Sequence, residues 1–208
     1  MDVEQLLQRA RSAIGAPAQR RITVYRPGAG GTDPQAAHPG TVRRVAELLS
    51  RVPAAEAAAW AGRAQAAGFG ALDPLQHVPT CDCSGFVCWA LGLSRRSRQP
   101  PFSKRGEPGW IHTDTIWADA TASQHTLFAP LHAPEVGAVV VYPKAGSGER
   151  FGHVGIVSAV AGGAATRVLH CSAGNFEAFF DAIAETGPEA FDAQPKTRYA
   201  WCVSVARD

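Results

Sequence analysis

The chain has 208 residues, of which 46% are hydrophobic and 18% charged, and its formal net charge at pH 7 is +2. This length fits one domain, and the hydrophobic share is enough for a core and excludes wholesale disorder. The charge is too small to indicate nucleic-acid binding, and no segment approaches the roughly 20 consecutive apolar residues of a membrane span. The first residues lack the basic and apolar regions of a signal peptide, so we expect a protein that is cytoplasmic as synthesised.

Apolar residues at helical spacing dominate the first half of the chain. The spacing predicts helices over 3–14, 42–51, 54–67 and 83–91, and a short one around Trp117. Residues 26–40 are rich in glycine and proline and are predicted to form a loop. Pro79-Thr80 is interpreted as a turn, and 94–110 as a basic loop.

The second half changes to the pattern of β-strands. Alternating or β-branched residues predict strands over 136–142, 153–160, 167–171 and 199–205, and a helix is predicted over 176–185. Gly162-Gly163 predicts a hairpin that places His170 diagonally next to His153. Helices followed by antiparallel strands indicate an α+β fold rather than alternating βαβ units.

A cysteine begins the fourth predicted helix, in the sequence Asp82-Cys83-Ser84-Gly85-Phe86. A helix N-terminus favours the thiolate form of a cysteine, and the thiolate is the nucleophile. Gly85 is a poor helix former, which indicates that another group approaches this turn closely. The alternative is that Cys83 is a small buried hydrophobic residue.

Two histidines are candidates for the base that a cysteine nucleophile needs. His153 begins a predicted strand and has a glycine before it and another two residues after it, while His170 ends the next strand. In that arrangement His153 would act as the base and His170 would orient it. The chain has seven histidines, so two ordinary strand-end histidines are the alternative.

Together these segments resemble the NlpC/P60 family of papain-like cysteine peptidases. That family has a helix beginning D-C-S-G-F/L, a P-x-x-G-D strand, a G-H-V-G-I-V strand and a strand ending in histidine. The corresponding segments here are 82–86, 134–142, 152–157 and 169–170. Ala138 stands where the family has its acid, and the lead-in over 10–34 is stretched and lacks the family's tryptophan.

The resemblance implies an α+β, papain-like fold in which the nucleophile helix packs with N-terminal helices on an antiparallel sheet. It implies a single domain over 1–208 with insertions at about 41–70 and 94–117. The insertions are expected to wall or roof the cleft, with Arg95, Arg96, Arg98 and Lys104 meeting acidic groups of the substrate. A solvated basic loop and a supporting helical pair are the alternative.

The resemblance also implies roles for single residues. Cys83 would be the nucleophile, His153 the general base and acid, and His170 the group that orients His153. The Cys83 backbone N–H and the Tyr25 hydroxyl would stabilise the oxyanion, although Tyr25 is equally a candidate core aromatic. The remaining two predicted substrate-binding residues, which would hold a free substrate amine, are Asp82 and Ser84.

The implied activity is that of a cysteine peptidase or amidase, which would hydrolyse the γ-D-glutamyl–diamino acid bond of peptidoglycan stem peptides through a thioester. The expected partner is peptidoglycan or a muropeptide, and the chemistry calls for no cofactor or metal. Acyl transfer, deamidation and a non-catalytic binding module are the alternatives. Because the wall lies outside the cytoplasm, a phage-type lysin, an injected effector with a neutralising immunity partner and a recycling enzyme all stay open.

Other cysteines lie close to the motif in sequence. Five cysteines cannot all pair, and without a signal peptide we expect free thiols. Cys81 or Cys171 could form a reversible disulfide with Cys83. A zinc site built from the same three cysteines is the less favoured interpretation, because structural zinc normally uses C-x2-4-C pairs and would silence the nucleophile.

Overall fold

The computed structural model describes residues 1–103, 105 and 107–207. Lys104, one of the predicted basic residues, lies outside them. The α-helices in this part of the chain are α1 (Val3–Ser12), α2 (Val45–Leu49), α3 (Ala54–Ala66), α4 (Cys83–Ala90), α5 (Thr113–Thr121), α6 (Ala173–Phe179) and α7 (Glu189–Asp192). In the described residues, no helix has both the length and the apolar character needed to cross a membrane.

The strands of the described residues form three sheets. They are β1 (Val24–Tyr25), β2 (Thr41–Arg44), β3 (His77–Cys81), β4 (Arg96–Ser97), β5 (Gly109–Trp110), β6 (Phe128–Leu131), β7 (Val139–Tyr142), β8 (His153–Ala161), β9 (Ala164–Cys171), β10 (Ile183–Thr186) and β11 (Arg198–Cys202). The largest sheet is antiparallel, with strand order β10-β9-β8-β7-β11-β6. The second has the order β1-β3-β2, and β4 and β5 form the third. The predicted α+β class is therefore confirmed.

Helix α4 is the buried centre of the molecule. Every one of its residues is buried, as expected for a helix that is apolar on all sides. It packs against β8 and β9 on one side and against α1 on another. Helix α1 turns Leu6, Leu7 and Ala10 into the core. This packing fixes the N-terminus of α4, which carries Cys83, against the large sheet.

The hairpin between β8 and β9 has the predicted register. Gly162 and Gly163 both have positive φ values, 58° and 79°, which suits the tight turn that joins twisted antiparallel strands. Gly155 pairs with His170, so His153 lies two residues away on the same strand. The two histidines are therefore diagonal neighbours, as expected.

Two predicted elements before α4 are wrong. The helix predicted over 42–51 is strand β2 followed by the short helix α2, because residues 41–44 pair with β3. Pro79-Thr80 is not a turn but part of β3, where Thr80 pairs with both Val24 and Thr41. In both places pairing with a distant strand outweighs local propensity.

The helix predicted over 176–185 is also wrong in its second half. Helix α6 ends at Phe179 because Phe180 adopts the left-handed conformation, with a φ of 56°. Asp181 then accepts hydrogen bonds from the backbone N–H groups of Gly15 and Thr23, at 2.6 and 2.7 Å. These contacts redirect the chain, and residues 183–186 pair with β9 as strand β10.

Strands were also missed in segments that lack a clear alternating pattern. The predicted basic loop contains the short strands β4 and β5, in which Arg96 pairs with Trp110. Strand β6, which contains Pro130, lies at the edge of the large sheet, where a proline is tolerated.

Candidate active site

The N-terminus of α4 lies in the wall of a cleft of about 580 Å³. Three consecutive residues of the motif, 82–84, line it. Its other lining residues come from the end of β1 and the loop after it, from the segment before β8 and from the second predicted insertion; they are Tyr25, Pro27, Gly28, Lys144, Phe151, Gly152, Arg95, Trp110, His112, Thr113 and Asp114. The first predicted insertion, 41–70, contributes none of the described lining residues.

Cys83 is the first residue of α4 and is only 5% exposed. The neighbouring backbone N–H groups of Val154 and Ser84 act to lower the pKa of its thiol. Because Val154 directly follows His153, this proximity places the thiol beside the first residues of β8. Burial, followed by the nearby Asp82 carboxylate, nevertheless raises the pKa of Cys83 to about 12. Burial therefore favours the thiol and opposes the thiolate form that the helix N-terminus favours.

The two candidate histidines are hydrogen-bonded to each other. His153 Nε2 lies 2.7 Å from His170 Nδ1, and both rings are buried. The ring of Phe191 stacks on His153 with centroids 5.1 Å apart and fixes its plane. On the far side, His170 Nε2 lies 2.8 Å from the Thr186 hydroxyl oxygen.

Burial keeps both histidines neutral. It lowers the pKa of His153 to about 3, with a further contribution from the neighbouring His170. It also lowers the pKa of His170 to about 4. At neutral pH the site therefore holds a thiol and two neutral imidazoles, which is the protonation state a general base needs before it accepts a proton.

Each carboxylate oxygen of Asp82 accepts two hydrogen bonds from other groups of the protein. Its Oδ1 accepts the Gly85 N–H at 2.7 Å and the Ser84 hydroxyl at 3.3 Å. Its Oδ2 accepts the Gly28 N–H at 2.9 Å and the Arg95 guanidinium at 2.5 Å. The Ser84 hydroxyl also accepts a hydrogen bond from Arg95, at 3.0 Å. All four acceptor positions of the carboxylate are therefore occupied, and a substrate amine could bind there only by displacing one of these donors.

Two glycines of the motifs are explained by close approaches. A Cβ on Gly85 would lie 3.1 Å from both the Ala29 carbonyl oxygen and the Arg95 guanidinium. The close neighbour expected at this turn is therefore the protein's own loop and arginine. A Cβ on Gly155 would lie 2.5 Å from Val168 and 3.1 Å from the Cβ of His170, so this glycine makes room for the orienting histidine.

Tyr25 lies in the cleft wall and is half-buried. Burial raises its pKa well above the usual value, with a smaller contribution from Cys83, so the phenol keeps its proton and can donate it in a hydrogen bond. A second tyrosine, Tyr142, was missed. Its ring centroid lies 6.1 Å from that of His153, and burial raises its pKa to about 12.

Phe191 and Thr186 also contact the histidine pair, and neither was predicted from the sequence. Both follow His170 in sequence, in a stretch without a recognisable motif. The only signal available for Thr186 was that a strand paired with β9 would bring its residues next to His170, and that strand was itself predicted as a helix.

The neighbouring cysteines are unpaired in the structure. The Cys81 thiol donates to the Asp82 carbonyl oxygen at 3.3 Å. Burial raises the pKa of Cys171 well above its usual value, with a smaller contribution from Cys81. Among the residues the structure describes, no three His, Cys, Asp or Glu side chains converge so that they could hold a metal ion.

Part of the chain that carries this geometry matches a known family model. Residues 73–174 match the family model of the CHAP domain. CHAP domains are associated with NlpC/P60-like cysteine peptidases and amidases, so the match confirms the relationship that the motifs indicated. It supports a hydrolase that acts on peptidoglycan. The CHAP segment contains Cys83, His153 and His170, whereas Tyr25 and Thr186 lie outside it. No curated protein matches the chain.

Proposed function

We propose that this chain is a papain-like cysteine peptidase or amidase that hydrolyses peptide bonds in the stem peptides of peptidoglycan. The observation that carries the proposal is the buried hydrogen bond between His153 and His170, on strands that pack against the helix beginning at Cys83, with all three residues inside the CHAP segment. Two neutral, mutually oriented imidazoles next to a thiol have the arrangement of a nucleophile, a base and an orienting group.

The first chemical step follows from the protonation states. His153 Nε2 is engaged by His170, so Nδ1 is the nitrogen left for the thiol. As the sulfur attacks the amide carbonyl, the thiol proton passes to Nδ1 and the sulfur–carbon bond forms. His153 then returns this proton to the leaving amine as the carbon–nitrogen bond breaks, which leaves a thioester.

The second step is the hydrolysis of the thioester. Neutral His153 accepts a proton from water, and the resulting hydroxide attacks the acyl carbon to form a carbon–oxygen bond. The carbon–sulfur bond then breaks, which releases the carboxylic acid, and the proton returns from His153 to the Cys83 sulfur. In both steps the carbonyl oxygen becomes negatively charged. The backbone N–H of Cys83 at the start of α4 and the protonated Tyr25 hydroxyl are the groups we assign to that charge.

For Asp82 and Ser84 we propose a structural role instead of binding of the free substrate amine. Their contacts with Gly28, Gly85 and Arg95 support a structural role, in which they hold the cleft walls together. The bond we propose, γ-D-glutamyl–diamino acid, follows from the family resemblance. It does not rest on amine recognition by Asp82.

Mass spectrometry of purified muropeptides tests this function. Freshly reduced wild-type protein should cleave one defined peptide bond of the muropeptides, and Cys83→Ala should cleave none. Cys88→Ala is the matched control, because Cys88 lies on the same helix, is also buried and has no place in the mechanism. Equal cleavage by wild type and Cys83→Ala, or none by the folded wild type, would contradict the proposal.

A further inference from the structure

The histidine pair is the middle of a longer chain of hydrogen bonds. His170 Nε2 lies 2.8 Å from Thr186 Oγ1, and this oxygen lies 2.9 Å from the carbonyl oxygen of Gly187. Thr186 is the last residue of β10 and pairs with Val168 of β9, which brings its side chain to the ring of His170. The sequence of groups is therefore His153, His170, Thr186 and the Gly187 carbonyl.

The last acceptor in this series of hydrogen bonds, the Gly187 carbonyl, determines which nitrogen of each histidine carries the proton. A carbonyl oxygen can only accept, so the single Thr186 hydroxyl proton is directed to Gly187. The Thr186 oxygen must then accept from His170, which places the His170 proton on Nε2 and leaves its Nδ1 as an acceptor. His153 must in turn donate from Nε2, and its Nδ1 is left without a proton.

The opposite arrangement would disable the base. If Thr186 donated to His170, the proton of His170 would lie on Nδ1 and would be donated to His153 Nε2. His153 would then carry its own proton on Nδ1, the atom that has to accept the proton of the Cys83 thiol. Only one of the two tautomers of a neutral imidazole is therefore competent, and the hydrogen-bond partner on the far nitrogen selects it.

We propose that Thr186 is a positioning residue, which acts through His170 to hold His153 in the tautomer with a free Nδ1. The inference rests on the proposed role of His153 as the base. It concerns a residue outside both the CHAP segment and every motif of the sequence, and it requires the hydroxyl group rather than the size of the side chain.

NMR of the labelled ring nitrogens tests the tautomers directly and needs no substrate. In the wild-type protein at neutral pH, both His153 and His170 should carry their proton on Nε2. A proton on Nδ1 of His153 in the resting protein would overturn the inference. Because this measurement is independent of hydrolysis, a protein with the expected tautomers that cleaves no muropeptide would refute the proposed function while supporting the role of Thr186.

Variants separate the hydroxyl from the shape of the side chain. Thr186→Val keeps the shape and should shift part of the His153 proton to Nδ1, and it should lower kcat about tenfold with KM unchanged, the equivalent of one lost hydrogen bond. Thr186→Ser should restore both the spectrum and kcat. Thr80→Val is the matched control, since Thr80 is a strand threonine whose hydroxyl also donates to a carbonyl, that of Thr41, at 2.9 Å.

The variants also give outcomes that contradict the inference. An unchanged His153 spectrum in folded Thr186→Val would overturn it, and so would equal losses in Thr186→Val and Thr186→Ser. If Thr186→Val does not fold, Thr186→Ala removes the same hydroxyl with a smaller side chain, and its spectrum decides in the same way.

Discussion

At the scale of single residues, the buried thiol of Cys83 determines how the site should respond to pH. Burial and Asp82 raise its pKa to about 12, so thiolate is scarce at neutral pH. Alkylation of Cys83 by iodoacetamide should therefore accelerate about tenfold for each pH unit between pH 6 and 10 and show no plateau. Mass spectrometry of the labelled peptide measures this rate, with Cys83→Ala to assign the site. A plateau beginning near pH 6 would indicate a resting thiolate–imidazolium pair instead.

At the scale of elements, the ion pair between Arg95 and Asp82 joins α4 to the segment before β4. Their side chains are only 4% and 8% exposed, and Arg95 also binds the Ala29 carbonyl. Arg95→Met would leave the Asp82 charge buried without its cation, and we expect a loss of about 3 kcal/mol in the free energy of unfolding. Urea denaturation measures this loss.

A neighbouring arginine provides the matched control for this substitution. Arg96 is exposed and stacks on the same tryptophan, Trp110, with its guanidinium 4.9 Å from the ring centroid, compared with 5.1 Å for Arg95. Arg96→Met should change the free energy of unfolding by no more than about 0.5 kcal/mol. Equal losses in the two variants would show that the buried ion pair contributes nothing beyond the aromatic contact.

Whether an element could be predicted from the sequence depends on whether local signals or a distant partner strand hold it in place. Helix α4 and the β8–β9 hairpin follow from local signals, namely an Asp82 cap, an apolar run and the turn at Gly162-Gly163. Strands β2 and β10 could not be predicted in this way, because each is held by a partner strand whose position depends on the rest of the fold. Cys83, His153 and His170 could therefore be named as candidates from the sequence, whereas Thr186 could not.

At the scale of the whole molecule, the neutral histidine pair links folding to pH. Both histidines have a lower pKa in the folded protein, about 3 and about 4, than the value of 6.5 expected in the unfolded chain. Between pH 6.5 and 4 the unfolded chain therefore binds more protons than the folded protein. The stability that depends on these two groups is complete above pH 6.5 and is lost as the pH falls, by up to about 1.4 kcal/mol per pH unit for each histidine.

His170→Gln should make this dependence on pH weaker. The variant removes one of the two groups, so the free energy of unfolding should fall less steeply between pH 6.5 and 4.5 than in wild type, by up to about 1.4 kcal/mol per pH unit. Urea denaturation at a series of pH values gives the two slopes, and the comparison holds even if the variant is less stable throughout. His77→Gln is the control, since His77 is exposed in β3 and should leave the slope unchanged. Parallel curves for wild type and His170→Gln would mean that His170 is not held neutral by burial, and the proton chain from Thr186 to His153 would then lose its physical basis.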